Sequence, residues 1–156
     1  MIAPYDSDQS FPVYGFGGEP SFMGRDEADY CFPLNGNKEN PSIIGLDNII
    51  ATYRKTLPNI KFLGGPRFAP VLEKFRDYVV ESSKSQNSYQ ILVLLTGGCI
   101  DDMPQTKELL VELSAFPCSV IIIGVGDAKF ASMRELDGDN VLLCDDGGTP
   151  VERDIV

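Results

Sequence analysis

The stretch Gln90-Ile-Leu-Val-Leu-Leu-Thr-Gly-Gly-Cys-Ile-Asp-Asp102 decides how the rest of this chain is read. Its first seven residues are apolar or uncharged and β-favouring, too short for a helix of ordinary length, and are closed by two glycines. That is the signature of a strand buried in a sheet interior, running into a loop. Open α/β folds place ligands in the loops at the carboxyl ends of such strands. Here the first positions after Thr96 are Gly97 and Gly98, which carry no functional group. The fold is thus announced by the strand, and the functional question by its empty loop.

Outward from this strand the pattern repeats. Ser119 to Gly124 forms a second β-branched apolar run, and Val141 to Leu143 a last candidate strand. A helix is predicted around Pro104 to Phe116, with Leu109, Leu110, Leu113 and Phe116 inward, stopped by Pro117. Phe68, Val71, Leu72, Phe75 and Val79 stripe another helix before the strand, and Phe130, Met133 and Leu136 a short one after it. Further upstream, Asn40-Pro41 predicts a helix start, and Ile43, Leu46, Ile50, Tyr53 and Leu57 fall at helical spacing until Pro58. The first forty residues are turn-rich, with an edge strand at Phe11 to Phe16 restricted by Pro12 and a solvated loop at Asp26 to Asp29. Ser82 to Ser88 reads as a polar connection. Helices alternating with apolar strands imply an α/β fold, a parallel sheet covered on both faces.

Composition narrows the chemistry. The 156 residues fit one domain, with 43% hydrophobic and 23% charged side chains. Thirteen basic against twenty-three acidic residues give a net charge of −10, which argues against nucleic acid or anionic lipid as a direct partner. The chain has no histidine, which removes imidazole bases, His-based triads and histidine zinc sites together. Cys31, Cys99, Cys118 and Cys144 are too widely spaced for the paired ligands of a structural zinc site, and Cys118 lies in an apolar run as a small hydrophobe. Cys99 lacks a base that would make it a nucleophile. The first ten residues have neither the basic flank nor the apolar core of a signal peptide, and no run approaches about 18 apolar residues. A reduced, cytosolic setting is expected.

Three motifs reduce to turns. Gly124-Val-Gly126-Asp-Ala-Lys129 follows a strand and precedes a helix, yet Lys129 stands where a dinucleotide loop needs its third glycine. A nucleotide-binding enzyme using this loop is the alternative from another functional class. Asp137-Gly-Asp-Asn140 begins like a calcium loop, but Val141 and Gly148 break the ligand set. Asp145-Asp146-Gly147-Gly148 reads as a turn for the same reason.

Taken together, many short segments resemble the copine family over essentially the whole chain. They are Tyr5-Asp-Ser-Asp8, Phe11-Pro12, Gly15-Phe-Gly17, Phe32-Pro-Leu-Asn-Gly-Asn37, Glu39-Asn-Pro41 and Phe68-Ala-Pro-Val71, followed by Met103-x-Gln-Thr-Lys107, Ile122-x-Gly-Val-Gly126, Glu135-Leu-Asp-Gly-Asp139 and Glu152-Arg-Asp154. The resemblance is to the C-terminal domain of copines, a relative of the von Willebrand factor A fold, and it implies a doubly wound, mostly parallel sheet flanked by helices. Such domains bind Mg²⁺ or Mn²⁺ through an Asp-x-Ser/Thr-x-Ser loop, a threonine in a second loop and an aspartate in a third, a set of oxygens that suits a hard cation.

Against that pattern this sequence departs at each ligand. The first loop is not matched, and the resemblance implies a chain that starts after the strand and helix expected to carry it. Gly64-Gly65-Pro66-Arg67 puts Pro66 at the threonine, and Thr96-Gly97-Gly98 puts Gly97 at the aspartate. Asp101 and Asp102 lie further along the loop. The resemblance therefore implies a degenerate metal site with no metal ligand and no cofactor. Its rim of Gly64, Gly65, Pro66, Arg67, Thr96, Gly97, Gly98, Asp101 and Asp102 becomes the candidate partner-binding surface.

It further implies a domain shortened at both ends, with a sheet gap whose exposed edges invite self-association. The expected role is a non-enzymatic protein-interaction module of a calcium-dependent phospholipid-binding protein. It would work in the cytoplasm or at the inner face of the plasma membrane through a larger assembly, without binding the membrane directly. Plant ubiquitin ligases that join a similar A-type domain to a RING offer an alternative, although no RING cysteine and histidine set exists in this chain.

Overall fold

The computed structural model describes residues 8–23, 30–84, 88–138 and 141–156. The loop expected at Asp26 to Asp29, the Asp139-Asn140 end of the calcium-like motif and most of Tyr5 to Asp8 lie outside them. Helices and short strands mix throughout, consistent with an α/β protein, and fall into two compact units, residues 1–64 and 65–156.

The first unit is built from three antiparallel strand pairs and one helix. β1 (Ser10–Pro12) pairs with β5 (Ser42–Ile44), β2 (Tyr14–Gly15) with β4 (Phe32–Pro33), and β3 (Gly18–Pro20) with β6 (Ile60–Phe62). Pro12 ends its strand, where a missing N–H costs nothing. The helix expected to open at Asn40-Pro41 begins later: α1 spans Leu46–Thr56, after Gly45 at φ 80°. Residues 42–44 form a strand instead, since Ile43 is buried opposite Phe11. Asn40 does not cap a helix. Its side chain accepts the Ser42 N–H, while Asn37 accepts from Glu39 and Asn40, so the asparagines knit a turn. The helical stripe is present but not inward: Leu46, Ile50 and Tyr53 (51% exposed) face solvent, and Thr56 is the helix's buried residue.

In the second unit the helical periodicity and the packing agree for α2 and α3. α2 (Ala69–Ser83) buries Val71, Leu72, Phe75 and Val79, with Phe68 just ahead of it. β7 (Gln90–Thr96) and β8 (Cys118–Gly124) form a parallel pair joined by α3 (Met103–Leu113), in register from Gln90↔Cys118 to Thr96↔Gly124. A parallel pair needs such a crossover. Leu94, Val120 and Cys118 point into a core with α2 and α3, which pack on each other. On the opposite face Ile91, Leu95 (60% exposed), Ile121 and Ile123 are exposed, so among the described residues this pair is covered on one face only, not on both as the apolar runs implied. Parallelism thus holds for this pair, and the other three pairs are antiparallel.

α4 (Ala131–Leu136) buries Met133 and Leu136 and is tied to α3 by the Lys107–Glu135 ion pair at 2.6 Å. The strand expected at Val141 to Leu143 does not form. Val141 and Leu142 are exposed, and a single bridge joins Cys144 to Pro150. The C-terminal segment instead lies on β8, with the Val120 N–H donating to Ile155 O. Arg153 donates to the Phe116 and Cys118 carbonyls and stacks on Tyr89, whose hydroxyl also reaches Cys118 O. The four cysteines form no disulfide.

Candidate functional site

At the carboxyl ends of β7 and β8 the predicted rim comes together, apart from Gly64, which is exposed and belongs to the first unit. Gly65 turns at φ 78°, and a methyl there would sit 2.2 Å from the Asp101 carboxylate. The Asp101 N–H donates to Pro66 O at 3.1 Å. These contacts close the loop before α2 onto the loop after β7. Arg67 is exposed beside them.

The main clamp is Asp102. It is 6% exposed, and its two carboxylate oxygens accept the N–H groups of Phe68 (3.0 Å) and Ala69 (2.8 Å). The first donors of a helix lack partners within it, and the helix field there favours a negative charge. Asp102 satisfies both conditions for α2 from another loop. Its own backbone carbonyl meanwhile starts α3 by accepting the Thr106 N–H at 2.9 Å, and the buried Thr106 hydroxyl approaches the same carboxylate. One residue thereby fixes the beginnings of two helices.

The glycines divide into two kinds. Thr96 is buried, and its hydroxyl accepts the Gly98 N–H at 3.1 Å. Gly98 has φ 100°, and any Cβ there would meet the Phe130 ring at 2.5 Å. Gly124 is covered by the same ring, which a methyl at that position would approach to 2.6 Å. Phe130 sits in the left-handed region at φ 49°, directly before α4. Gly98 and Gly124 therefore make room for an aromatic lid on the sheet end. Gly97, by contrast, has open space around its Cβ position.

Sequence reasoning missed Phe130 as a member of this site. The signal for it was two glycines at the ends of adjacent parallel strands with an aromatic residue soon after. It also placed Asp102 on a rim, where the structure buries its carboxylate. Pro66 and Gly97 bring no side-chain oxygen. Among the described residues, no group of three or more His, Cys, Asp or Glu is arranged to hold a metal ion. The Gly124–Lys129 loop leads into a helix of six residues, and no helix among the described residues is long and apolar enough to cross a membrane. Compared with known protein families, the chain matches the family described as Copine, over residues 1–156.

Proposed function

This chain belongs to the copine family, and from that premise we propose that it is a non-enzymatic protein-interaction module whose former metal rim meets its partner without a divalent cation. Membership suggests a module of a calcium-dependent phospholipid-binding protein with a protein-interaction role, in a family that is generally not one of classical enzymes. The wider doubly wound arrangement is part of the same reading. It is supported by β7–α3–β8, a parallel strand–helix–strand unit of the kind from which such sheets are built.

The observation that carries the proposal is the Asp102 clamp. In a working site of this type, carboxylate and hydroxyl oxygens at the sheet edge are presented to the ion. Here the nearest buried carboxylate already accepts two backbone N–H groups, and the two family ligand positions hold Pro66 and Gly97. The residues present do not fit a hard cation, which needs several oxygens in a nearly octahedral set. Backbone hydrogen bonds order the loops in its place, leaving Gly65, Pro66, Arg67, Gly97 and Asp101 as a shaped, mostly neutral contact surface. The surroundings that suit this module are the cytoplasm or, through a larger assembly, the inner face of the plasma membrane. Isothermal titration with Mg²⁺, Mn²⁺ and Ca²⁺ is the test. No saturable heat is expected, and micromolar binding of any of the three overturns the reading.

A further inference from the structure

We propose that Thr149 is a phosphorylation site for a proline-directed serine/threonine kinase, and that the phosphate opens the turn from Asp145 to Thr149. This goes beyond the interaction reading and does not draw on the rim. Of the eleven prolines in the chain, only Pro150 follows a serine or threonine. Proline has no N–H, so a kinase cleft that offers no acceptor to the residue after the target hydroxyl selects proline there. A residue before proline is also biased toward the extended backbone that such a cleft receives. Residues 146–150 are all exposed and lie outside any helix or strand, which is where an enzyme gains access to a folded chain.

The turn closes a small hairpin in which Cys144 lies opposite Pro150. Asp145 N–H donates to Thr149 O, and Gly148 N–H to Asp145 O, each at 3.0 Å. The Asp145 carboxylate accepts the Thr149 N–H at 2.7 Å. That N–H above all, and with it the Thr149 hydroxyl and the N–H groups of Gly147 and Gly148, holds the Asp145 carboxyl below the usual carboxylate range against desolvation. Next along, Val151 N–H donates to Leu143 O at 3.0 Å, and both residues are buried. The Asp145 carboxylate and the donors facing it, the Thr149 hydroxyl among them, keep the hairpin shut.

Phosphorylation reverses the sign of that contact. The Thr149 hydroxyl oxygen attacks the γ-phosphorus of a nucleoside triphosphate. An O–P bond forms as the bond to the departing diphosphate breaks, and the hydroxyl proton passes to the kinase's base. The hydroxyl donor that faced Asp145 is gone, and a charge of about −1.5 to −2 stands beside the carboxylate instead. Residues 135–152 contain no Lys or Arg to offset it, while Asp146 and Glu152 add to the repulsion. Arg153 is already committed to the Phe116 and Cys118 carbonyls. The turn therefore opens, and the bond between Val151 and Leu143 is lost with it.

The test incubates the full chain with ATP and, in separate samples, an activated mitogen-activated protein kinase and a cyclin-dependent kinase. Peptide mass spectrometry maps the phosphate, and an alkylating reagent in the same sample reports on the fold, since the buried Cys118 must stay unlabelled. Phosphate is expected on Thr149 from at least one of the two kinases. It should be absent there in Thr149→Val and fall sharply in Pro150→Ala, which keeps the hydroxyl. In the phosphorylated protein, amide exchange at Asp145, Gly148 and Val151 should rise at least about tenfold, and by less in unmodified Thr149→Val. The proposal is overturned by no phosphate on Thr149 from either kinase, by labelling indifferent to Pro150→Ala, by labelling only where Cys118 has become reactive, or by unchanged exchange in the phosphorylated turn. Each of those outcomes leaves the cation titration untouched, so the two readings fail separately.

Discussion

Replacing Asp102 tests whether this carboxylate holds two helices together or serves as a remnant ion ligand. Asp102→Ala strips acceptors from the Phe68 and Ala69 N–H groups, which are 3.0 and 2.8 Å away and belong to residues 1% and 8% exposed. A hydrogen bond to a charged group contributes about 1.5–3 kcal/mol, and a lost N-cap alone costs about 0.5–2 kcal/mol. The two descriptions overlap, so we expect a loss of about 3 kcal/mol rather than their sum. For a domain of this length that corresponds to a fall of roughly 6–12 °C in Tm. Asp102→Asn keeps one acceptor oxygen but turns an amide toward the other N–H, and should lose about half as much. Urea unfolding followed by far-UV circular dichroism measures both, and the m-value should not change. A loss below about 0.5 kcal/mol for the alanine variant would refute the clamp. So would a wild type stabilised by Mg²⁺ in a manner that either variant abolishes.

The two neighbouring glycines should behave oppositely. Gly98→Ala forces a Cβ into the Phe130 ring at φ 100° and should cost at least about 2 kcal/mol, whereas Gly97→Asp enters open space and should stay within about 0.5 kcal/mol in the same urea assay. Arg153→Ala removes the donor shared by the Phe116 and Cys118 carbonyls together with its stacking on Tyr89. It should lower stability by about 1.5–3 kcal/mol and raise hydrogen exchange at Val120, whose N–H is held by Ile155. Cys118 is fully buried, and burial pushes its thiol above the ordinary value, outweighing the opposing pull of Arg153. The native state therefore holds this proton more tightly than the unfolded chain. That contribution is complete below the ordinary thiol pKa and is lost as pH rises through the native one, so unfolding free energy should decline in alkaline titration. Substituting Cys118 by Ala should flatten that decline. In native protein at pH 8, an alkylating reagent should label the exposed Cys99 and spare Cys118.

What could be read from the residues divides along the two units. In the second unit, α2 and α3 were legible because each buries a stripe of its own period, as Phe68 to Val79 do at helical spacing, whereas the short apolar run of β7 marked a strand but not its burial, since Leu94 and Thr96 are buried while Ile91 and Leu95 are exposed. In the first unit the same rule misleads. Asn40, Pro41, Ile43 and Leu46 satisfy a helix start as pattern, but Ile43 gains more by burial opposite Phe11 in β5, and helix formation waits for Gly45. Val141 to Leu143 failed differently. Only Leu143 is buried, and the backbone partner on β8 that a further strand would need at Val120 is supplied by Ile155. Alternation within a segment cannot report that its place is taken by a segment twelve residues later. The rim was foreseen as a set of positions, while its geometry was not. Whether Asp102 points outward to an ion or inward to Phe68 and Ala69 depends on where α2 begins relative to a loop some thirty residues away.

The empty loop after β7 follows from this division of labour. Gly98 is required by the Phe130 ring, Thr96 by the turn that presents Gly98, and Asp102 by the start of α2, so each has a structural partner within the second unit. Of these loop residues, Gly97 has neither a strained φ nor a neighbour at its Cβ position. A carboxylate could stand at Gly97 without disturbing the fold, which means that packing does not exclude the family's aspartate there. If Gly97→Asp folds normally but gains no Mg²⁺ affinity by titration, then Pro66 and the committed oxygens of Asp102 are sufficient to keep the rim metal-free. If that one substitution brings micromolar binding, the remaining oxygens at the sheet edge already form most of an ion site, and the proposed independence of a cation rests on Gly97 alone.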